Sequence, residues 1–156
     1  YLLSSAAIRL ANDAEILQIL LDDPARIPDF VDELIRLDSP VHFLPRRTCS
    51  AVTLSGVTIP AGSPVVLMLA AANRDPSQFQ APEKFDLARS NIVTHLGFGA
   101  GIHRCTGAVL AKTQTVIVLE VLLKRFSHIS CPASDELPWF NSLFTHGVNN
   151  LPIILR

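Results

Sequence analysis

The residue with the strongest chemical signature in this sequence is Cys105, which lies in a glycine-rich stretch directly before a long apolar segment. The apolar pattern of residues 106–126 predicts a mostly buried helix that begins at about Thr106. The unpaired N–H groups at the start of such a helix point toward the sulfur and favour the thiolate over the thiol. Three glycines within residues 97–101 allow the backbone to lie against a large, flat group. Cys105 is therefore a candidate thiolate ligand for a metal.

The spacing around Cys105 argues against other cofactor sites. A dinucleotide-binding loop would need glycine where Ile102 stands. A zinc site is poorly supported, because His103 and Cys105 are too close for paired ligands and no second pair is present. Covalent c-type haem requires a Cys-x-x-Cys-His motif, which is absent. The ordinary role of cysteine is that of a small buried hydrophobe, and we expect this role for Cys49 and Cys131.

The residues that flank the sulfur favour a haem with a thiolate axial ligand. His103 and Arg104 can donate hydrogen bonds to anionic substituents such as carboxylates. Gly107 leaves the first helical turn without a side chain, as the earlier glycines do for the loop. Together these features suit haem iron held by Cys105.

The sequence resembles the cytochrome P450 family of haem-thiolate monooxygenases, in its soluble bacterial form. Residues 98–107 match the pattern Phe-Gly-x-Gly-x-His-x-Cys-x-Gly completely, and Glu33 and Arg36 supply a Glu-x-x-Arg motif. Softer similarities occur in four further blocks, at residues 37–40, 56–62, 71–76 and 151–153. The resemblance covers essentially the whole chain, but only the C-terminal part of the family's fold.

The resemblance implies a mainly α fold with small β-sheets, of the α+β class. Residues 1–156 are then expected to form a single unit, the C-terminal haem-binding portion of the fold, without its N-terminal portion. Its expected elements are the Glu-x-x-Arg helix, a β-hairpin region, the cysteine-ligand loop, the long helix after it and a C-terminal β-hairpin. Local patterns agree, with helical spacing before residue 36 and alternating strands at residues 52–54, 57–59 and 65–69.

The resemblance also implies which residues hold haem b. Cys105 would be the axial ligand of the iron, and the residues expected around the haem are Phe98, Gly99, His103, Gly107 and Arg46. His103 and Arg46 are the candidates for the haem propionates. Counting back from Ile59 favours Arg46, with Arg47 as the alternative, and two solvated surface arginines are the competing interpretation.

Glu33 and Arg36 lie three residues apart on one helix face, and the family uses this pair in a buried structural charge network. The family usually completes the network with an arginine in the segment that here spans residues 82–85, where this sequence has Lys84. Lysine keeps the charge but lacks the planar fork of arginine. Without the resemblance, the pair would be interpreted as an exposed salt bridge of little energetic value.

Apolar residues in two segments match the family's substrate pocket. These residues are Val41, Phe43, Leu44, Leu143 and Phe144. They suit an apolar small-molecule substrate, although a plain core role fits them equally well. His42 and His146 stand without a visible partner in the sequence and receive no role.

Composition limits the possible partners. The 156 residues carry a formal charge of −1 and 49% hydrophobic residues, which indicates no nucleic-acid footprint. The longest apolar run, residues 65–72, is too short to span a membrane. A mean hydropathy of +0.35 indicates surfaces that the remaining P450 portion or another chain covers. Three scattered cysteines favour a reducing compartment, so we expect a cytoplasmic protein.

Positively charged residues beside the cysteine loop could bind a partner protein. Arg104, Lys112, Lys124 and Arg125 form a patch that could receive a ferredoxin-type electron donor, as the family's proximal face does. Ordinary solubilising charge explains the same residues equally well.

Two functions follow from the resemblance. The first is the haem-binding part of a monooxygenase that hydroxylates an apolar small molecule with O2 and electrons from a redox partner. The second is a truncated relative without oxygenase activity, which acts as a binding or scaffold module or as a redox-neutral catalyst. The second is considered because these residues lack the acid–threonine pair with which the family activates dioxygen. The resemblance places residues 1–5 in the last turns of the helix that carries this pair in the family.

Overall fold

The computed structural model describes residues 1–156, apart from the side chain of Ser134. Five α-helices and six short strands make up the regular structure of the described residues. The helices are α1 (Leu2–Asn12), α2 (Ala14–Asp22), α3 (Ile27–Leu37), α4 (Leu69–Ala72) and α5 (Ala108–Arg125). The strands are β1 (Leu44–Arg47), β2 (Val52–Leu54), β3 (Val57–Ile59), β4 (Pro64–Leu67), β5 (Ile129–Ser130) and β6 (Ile154–Leu155).

The first three helices are separated by polar residues that end one helix and begin the next. The Asp13 carboxylate accepts a hydrogen bond from the Ile16 N–H at 3.0 Å, which caps the start of α2. Asp23 accepts a hydrogen bond from the Ala25 N–H in the same way at 3.2 Å, and Pro28 lies in the first turn of α3. These caps allow three short helices to follow one another with almost no loop between them.

Helix α3 is the centre of the core. Every residue from Phe30 to Leu37 is buried, and α3 packs against α1 and α5. Each large apolar side chain buried in this way contributes about 1.5–3 kcal/mol. The core residues that α1, α2 and α5 contribute are Ala6, Leu10, Ile16, Leu17, Leu20, Leu119 and Leu123. The buried position of α3 means that any charged residue on it must be paired.

The strands form three two-stranded antiparallel sheets, β1–β4, β2–β3 and β5–β6. The predicted hairpin of β2 and β3 is present, and its turn residues Ser55 and Gly56 have φ values of 48° and 80°. Positive φ at both positions matches the tight turn that the twist of a hairpin favours. The strand expected at residues 65–69 ends instead at Leu67, because Leu69 begins α4. Its partner β1 was not predicted, since it carries Pro45, which cannot donate a ladder hydrogen bond.

Helix α5 differs from its sequence-based prediction in two ways. It begins at Ala108, because residues 105–107 form a turn in which the Ala108 N–H contacts the Cys105 carbonyl at 3.3 Å. The expectation of a mostly buried helix is wrong for this chain. Only four of its residues are buried, whereas its apolar residues Val109, Leu110, Ile117, Val118 and Val121 are exposed. Among the described residues, no helix has the length and apolar character needed to cross a membrane.

Candidate cofactor site

The loop before α5 closes on itself at Cys105. The Cys105 N–H donates to the Phe98 carbonyl at 2.9 Å, and the Arg104 N–H donates to the Gly101 carbonyl at 3.1 Å. Gly99 and Gly101 have φ values of 68° and 67°, in the left-handed region that favours glycine. The loop therefore presents an exposed thiol just before the N-terminal end of a helix of 18 residues. At that end of the helix the backbone N–H groups have no intrahelical partners.

A cavity of about 490 Å³ opens in front of the Cys105 thiol. Its walls are almost entirely apolar, and His103 contributes an imidazole side chain to its lining. The sequence-predicted residues that line it are Val41, Leu44, Phe98, Gly99, His103 and Cys105. Its volume is in the usual range for sites that bind small molecules and cofactors.

The remaining predicted pocket residues lie outside this cavity. The rings of Phe43 and Phe144 pack edge to face with their centres 5.5 Å apart, so these two residues contact each other. Leu143 is 87% exposed at the tip of the C-terminal loop. Gly107 lies behind the sulfur, where a Cβ atom would be 3.8 Å from the Cys105 Sγ. A side chain at this position would therefore make an ordinary van der Waals contact with the sulfur.

The two arginines before the first hairpin differ in their surroundings. Arg46 lines a second cavity of about 270 Å³, which shares Leu44, Leu69 and Gly99 with the first. The Arg47 guanidinium instead donates to the Gly62 carbonyl. Arg46 therefore lines the cavity next to the one at Cys105, and its guanidinium donates to the Pro45 carbonyl at 2.8 Å.

These donors fit a haem better than they fit a bare metal ion. The sulfur of Cys105 and the imidazole of His103 line an apolar cavity, and Arg46 lines the adjoining one, which suits a flat macrocycle with anionic substituents. In the described part of the chain, no group of three or more metal-ligating residues comes together. The other cysteines are distant from this chemistry. Cys131 is half-buried, whereas Cys49 is exposed, so the expectation that Cys49 is a buried hydrophobe is wrong.

Glu33 and Arg36 form a fully buried ion pair. Arg36 donates from Nε to Glu33 Oε2 at 2.7 Å and from Nη2 to Oε1 at 2.8 Å, and both side chains are completely inaccessible. The other guanidinium hydrogens of Arg36 reach the carbonyls of Asn73, Pro82 and Lys84. Every donor of Arg36 is thus satisfied, which a buried guanidinium requires.

The third charge of this network is Arg89, so the assignment of Lys84 is wrong. Arg89 Nε donates to Glu33 Oε1 at 3.2 Å, and its side chain is only 5% exposed. Lys84 has an exposed side chain and contributes its backbone carbonyl, which accepts from both arginines. The chain between Lys84 and Arg89 turns inward, because the Asp86 N–H also donates to Glu33. Arg89 belongs to none of the motifs identified in the sequence, so its role in the charge network was not predicted.

Asn73 links the charge network to the cysteine loop. Its side chain is fully buried, with Nδ2 donating to Ser39 Oγ at 2.8 Å and Oδ1 accepting from the Leu96 N–H at 2.6 Å. Its carbonyl accepts from Arg36 at 2.8 Å. The Asn73 side chain therefore connects the start of the cysteine loop to Ser39, whose hydroxyl donates to the Ile35 and Arg36 carbonyls of α3. The sequence placed Asn73 in a block of similarity but did not predict this contact.

His42 and His146, which had no predicted role, form a pair. Their rings stack with centres 5.5 Å apart, and the Trp139 ring stacks on His146 at 4.4 Å. The backbone N–H of His42 donates to the Phe144 carbonyl at 3.0 Å, and the backbone N–H of His146 donates to the Pro40 carbonyl at 2.9 Å. The pair therefore lies where residues 40–44 meet the C-terminal loop, beside the cavity walls.

We expect the stability of the protein to fall as the pH drops from 7.5 to 5, with His146 contributing to the loss. Burial and the nearby His42 lower the pKa of His146, against the opposing effect of Asp38, whose carboxylate is paired with Arg9. Because the folded-state pKa lies below the usual value, the unfolded chain binds more protons in this interval. Urea unfolding at several pH values measures the slope of the free energy of unfolding.

The control for this expectation is His146→Phe, which keeps a ring against Trp139 but has no titrating group. Its free energy of unfolding should depend less on pH between 7.5 and 5 than that of the wild-type protein. An unchanged slope in this variant would contradict the role of His146.

Comparisons with known proteins agree with the geometry. The family model for cytochrome P450 matches residues 27–155. Cytochrome P450 107B1 of Saccharopolyspora erythraea is 37% identical over 154 residues, which are 97% of this chain and 38% of that protein. 6-Deoxyerythronolide B hydroxylase of the same organism is 37% identical over 147 residues, 94% of this chain and 36% of that protein.

Solved structures give the same answer for the fold. Substrate-free CYP150A6 of Mycobacterium marinum superposes with a TM-score of 0.94 at 31% identity, covering 99% of this chain and 40% of that one. CYP109E1 of Bacillus megaterium in complex with corticosterone gives a TM-score of 0.91 at 34% identity, with 99% and 41% covered. The expected fold class is confirmed, and the chain spans about two fifths of the length of these relatives. The chain belongs to the cytochrome P450 family.

Proposed function

We propose that this chain is the haem-binding part of a monooxygenase that hydroxylates an apolar small molecule with O2 and electrons from a redox partner. Proteins of this family are in general haem monooxygenases, and they hold haem b through a cysteine thiolate. The observation that carries the proposal is the exposed Cys105 thiol, which faces an apolar cavity of about 490 Å³ at the start of α5.

Six residues of this chain would hold the haem. The Cys105 thiolate would ligate the iron, and Phe98, Gly99 and Gly107 would lie against the macrocycle without bulky polar groups. His103 and Arg46 would donate to its anionic substituents. When bound, haem supplies the activation of dioxygen, and a thiolate ligand supplies electron density that favours O–O cleavage.

The character of the cavity supports an apolar substrate. Val41 and Leu44 line it, and Phe43, Phe144 and the exposed Leu143 lie on the two segments that meet beside it. Structures of the relative CYP109E1 were determined in complex with corticosterone and with testosterone, both of which are steroids. We therefore propose that this protein binds an apolar molecule of comparable kind.

A ferredoxin-type electron donor would approach the positive face beside Cys105. Arg104 precedes the ligand and has an exposed side chain, and Lys124 and Arg125 are exposed in the last turn of α5, at the opposite end of that helix. Lys112 is only partly available for this role, because its ammonium group contacts Asp32 at 2.6 Å. Acidic donors would be steered to the remaining three cations.

The exposed apolar face of α5 is proposed to be covered by further P450 sequence. Val109, Leu110, Ile117, Val118 and Val121 are between 41% and 73% exposed. Exposed apolar stripes of this kind mark surfaces that another polypeptide covers. The relatives supply such sequence, since this chain matches only 35–39% of their length.

The experiment uses the protein that contains this chain, loaded with haem, together with ferredoxin, a ferredoxin reductase and NADPH. A panel of steroids and macrolactones is incubated under isotopically labelled dioxygen. The expected product carries one labelled oxygen atom, because hydroxylation consumes O2, two electrons and two protons and releases one water. Haem-loaded protein that binds a panel compound but forms no labelled product, or forms a product only without reductant, would contradict the proposal.

A further inference from the structure

A buried pair of side chains lies behind the cysteine loop. His95 Nε2 lies 3.3 Å from Asp32 Oδ1, and the two side chains are 6% and 8% exposed. On the other side of the ring, His95 Nδ1 accepts a hydrogen bond from the Gly97 N–H at 3.2 Å. The histidine therefore connects helix α3, which carries Asp32, to the first residues of the loop.

The hydrogen bonds determine the tautomer of His95. The Gly97 N–H can only donate, so Nδ1 must be free of a proton to accept from it. The proton of the neutral ring is then on Nε2, where it is donated to the Asp32 carboxylate. Both ring nitrogens therefore form hydrogen bonds, Nδ1 as an acceptor and Nε2 as a donor.

Lys112 forms an ion pair with the buried Asp32 carboxylate. Its Nζ lies 2.6 Å from Asp32 Oδ1 and 2.8 Å from Oδ2, so an ammonium from α5 already neutralises the carboxylate. Burial alone would raise the pKa of Asp32, but hydrogen bonds from His95 and Lys112 outweigh it and hold the pKa below its ordinary value. With its charge balanced by Lys112, Asp32 can orient His95 without requiring a second proton on the ring.

The chain from Gly97 to the thiol is short. The residue after Gly97, Phe98, lines the cavity, and its carbonyl accepts the Cys105 N–H at 2.9 Å. Gly97 itself is pressed against α3, because a Cβ atom there would lie 2.3 Å from Ile35 Cγ2. A displacement of the Gly97 amide is therefore transmitted through one residue to the hydrogen bond that sets the position of Cys105.

We propose that His95 is a positioning residue that aims the Cys105 thiolate, by holding the Gly97 amide through Nδ1 while Asp32 fixes its ring. The proposal rests on the proposed haem-binding function of Cys105. It adds that the orienting group is Nδ1 acting as an acceptor, and not the bulk or the charge of the imidazole.

Two amide variants separate the tasks of the two nitrogens in the haem-loaded protein. His95→Asn has its side-chain oxygen near the position of Nδ1 and keeps an acceptor for Gly97, while His95→Gln keeps a donor near Nε2 for Asp32. Each variant retains one of the two hydrogen bonds, so their stabilities should be similar. Amide hydrogen exchange of Gly97 is expected to be about tenfold faster in His95→Gln than in His95→Asn, in proportion to one lost hydrogen bond.

The second readout is the ferrous carbon monoxide spectrum. The share of protein with the long-wavelength band of thiolate ligation should be preserved in His95→Asn and should fall by about half or more in His95→Gln. Equal Gly97 exchange in the two variants, or a full thiolate band in His95→Gln, would overturn the positioning role. Neither result would affect the proposed function, which is tested on the wild-type protein and fails if that protein lacks the thiolate band or forms no labelled product.

Discussion

Replacing Cys105 by serine is expected to remove the long-wavelength absorption of the reduced carbon monoxide complex and to abolish hydroxylation. Serine has nearly the same size, but it replaces the soft sulfur with a hydroxyl oxygen, which cannot supply thiolate ligation. Changes to outer-shell partners of metal ligands typically cost 10–100-fold, so loss of the ligand itself should lower turnover by more than about 100-fold. Absorption spectra of the reduced protein with carbon monoxide measure the ligation directly.

The other two cysteines provide matched controls. Neither Cys49 nor Cys131 lines the cavity at the start of α5, and burial raises the pKa of the Cys131 thiol. Cys49→Ser and Cys131→Ser should keep the wild-type spectrum and wild-type turnover. A Cys105→Ser protein that retained the long-wavelength band would refute the assignment of the axial ligand.

Local sequence patterns predicted the part of the site that is local in the chain. The glycines and Cys105 all fall within residues 97–107, so the chemistry of the loop could be inferred from spacing alone. The predicted start of α5, at about Thr106, is two residues too early, because residue types alone do not distinguish the turn at residues 105–107 from the first turn of a helix. The burial of α5 could not be predicted, since its apolar residues are the same whether or not another segment covers them.

Contacts between distant segments could not be predicted. His95 and Asp32 are separated by 63 positions and Lys112 and Asp32 by 80, so no spacing rule connects them. The arginine of the charge network shows the same limit. Lys84 lies in the segment where the family places the third charge of the network. The chain turns there, however, and directs Arg89 inward, five residues later. Only the folded path of residues 80–89 decides which cation reaches Glu33.

The buried charge network makes the second large prediction. Glu33→Gln should lower the free energy of unfolding by about 3–5 kcal/mol, because it leaves Arg36 and Arg89 buried without a counter-charge. Both guanidinium groups also lie over the buried Phe79 ring, 5.2 and 5.9 Å from its centre. Chemical denaturation monitored by circular dichroism measures the loss.

Two further variants test which cation completes the network. Arg89→Ala removes the contact to Glu33 and the hydrogen bonds to the carbonyls of Gln80 and Lys84, which should cost about 2–3 kcal/mol. Lys84→Ala removes only an exposed side chain and leaves its carbonyl in place, so its effect should stay within about 0.5 kcal/mol. If Lys84→Ala were the more damaging change, the ammonium of Lys84 would reach Glu33 in solution and the assignment of Arg89 would be wrong. Because Asn73 joins Arg36 to the Leu96 amide, the Arg89→Ala protein should also exchange the Leu96 N–H faster than the Lys84→Ala protein.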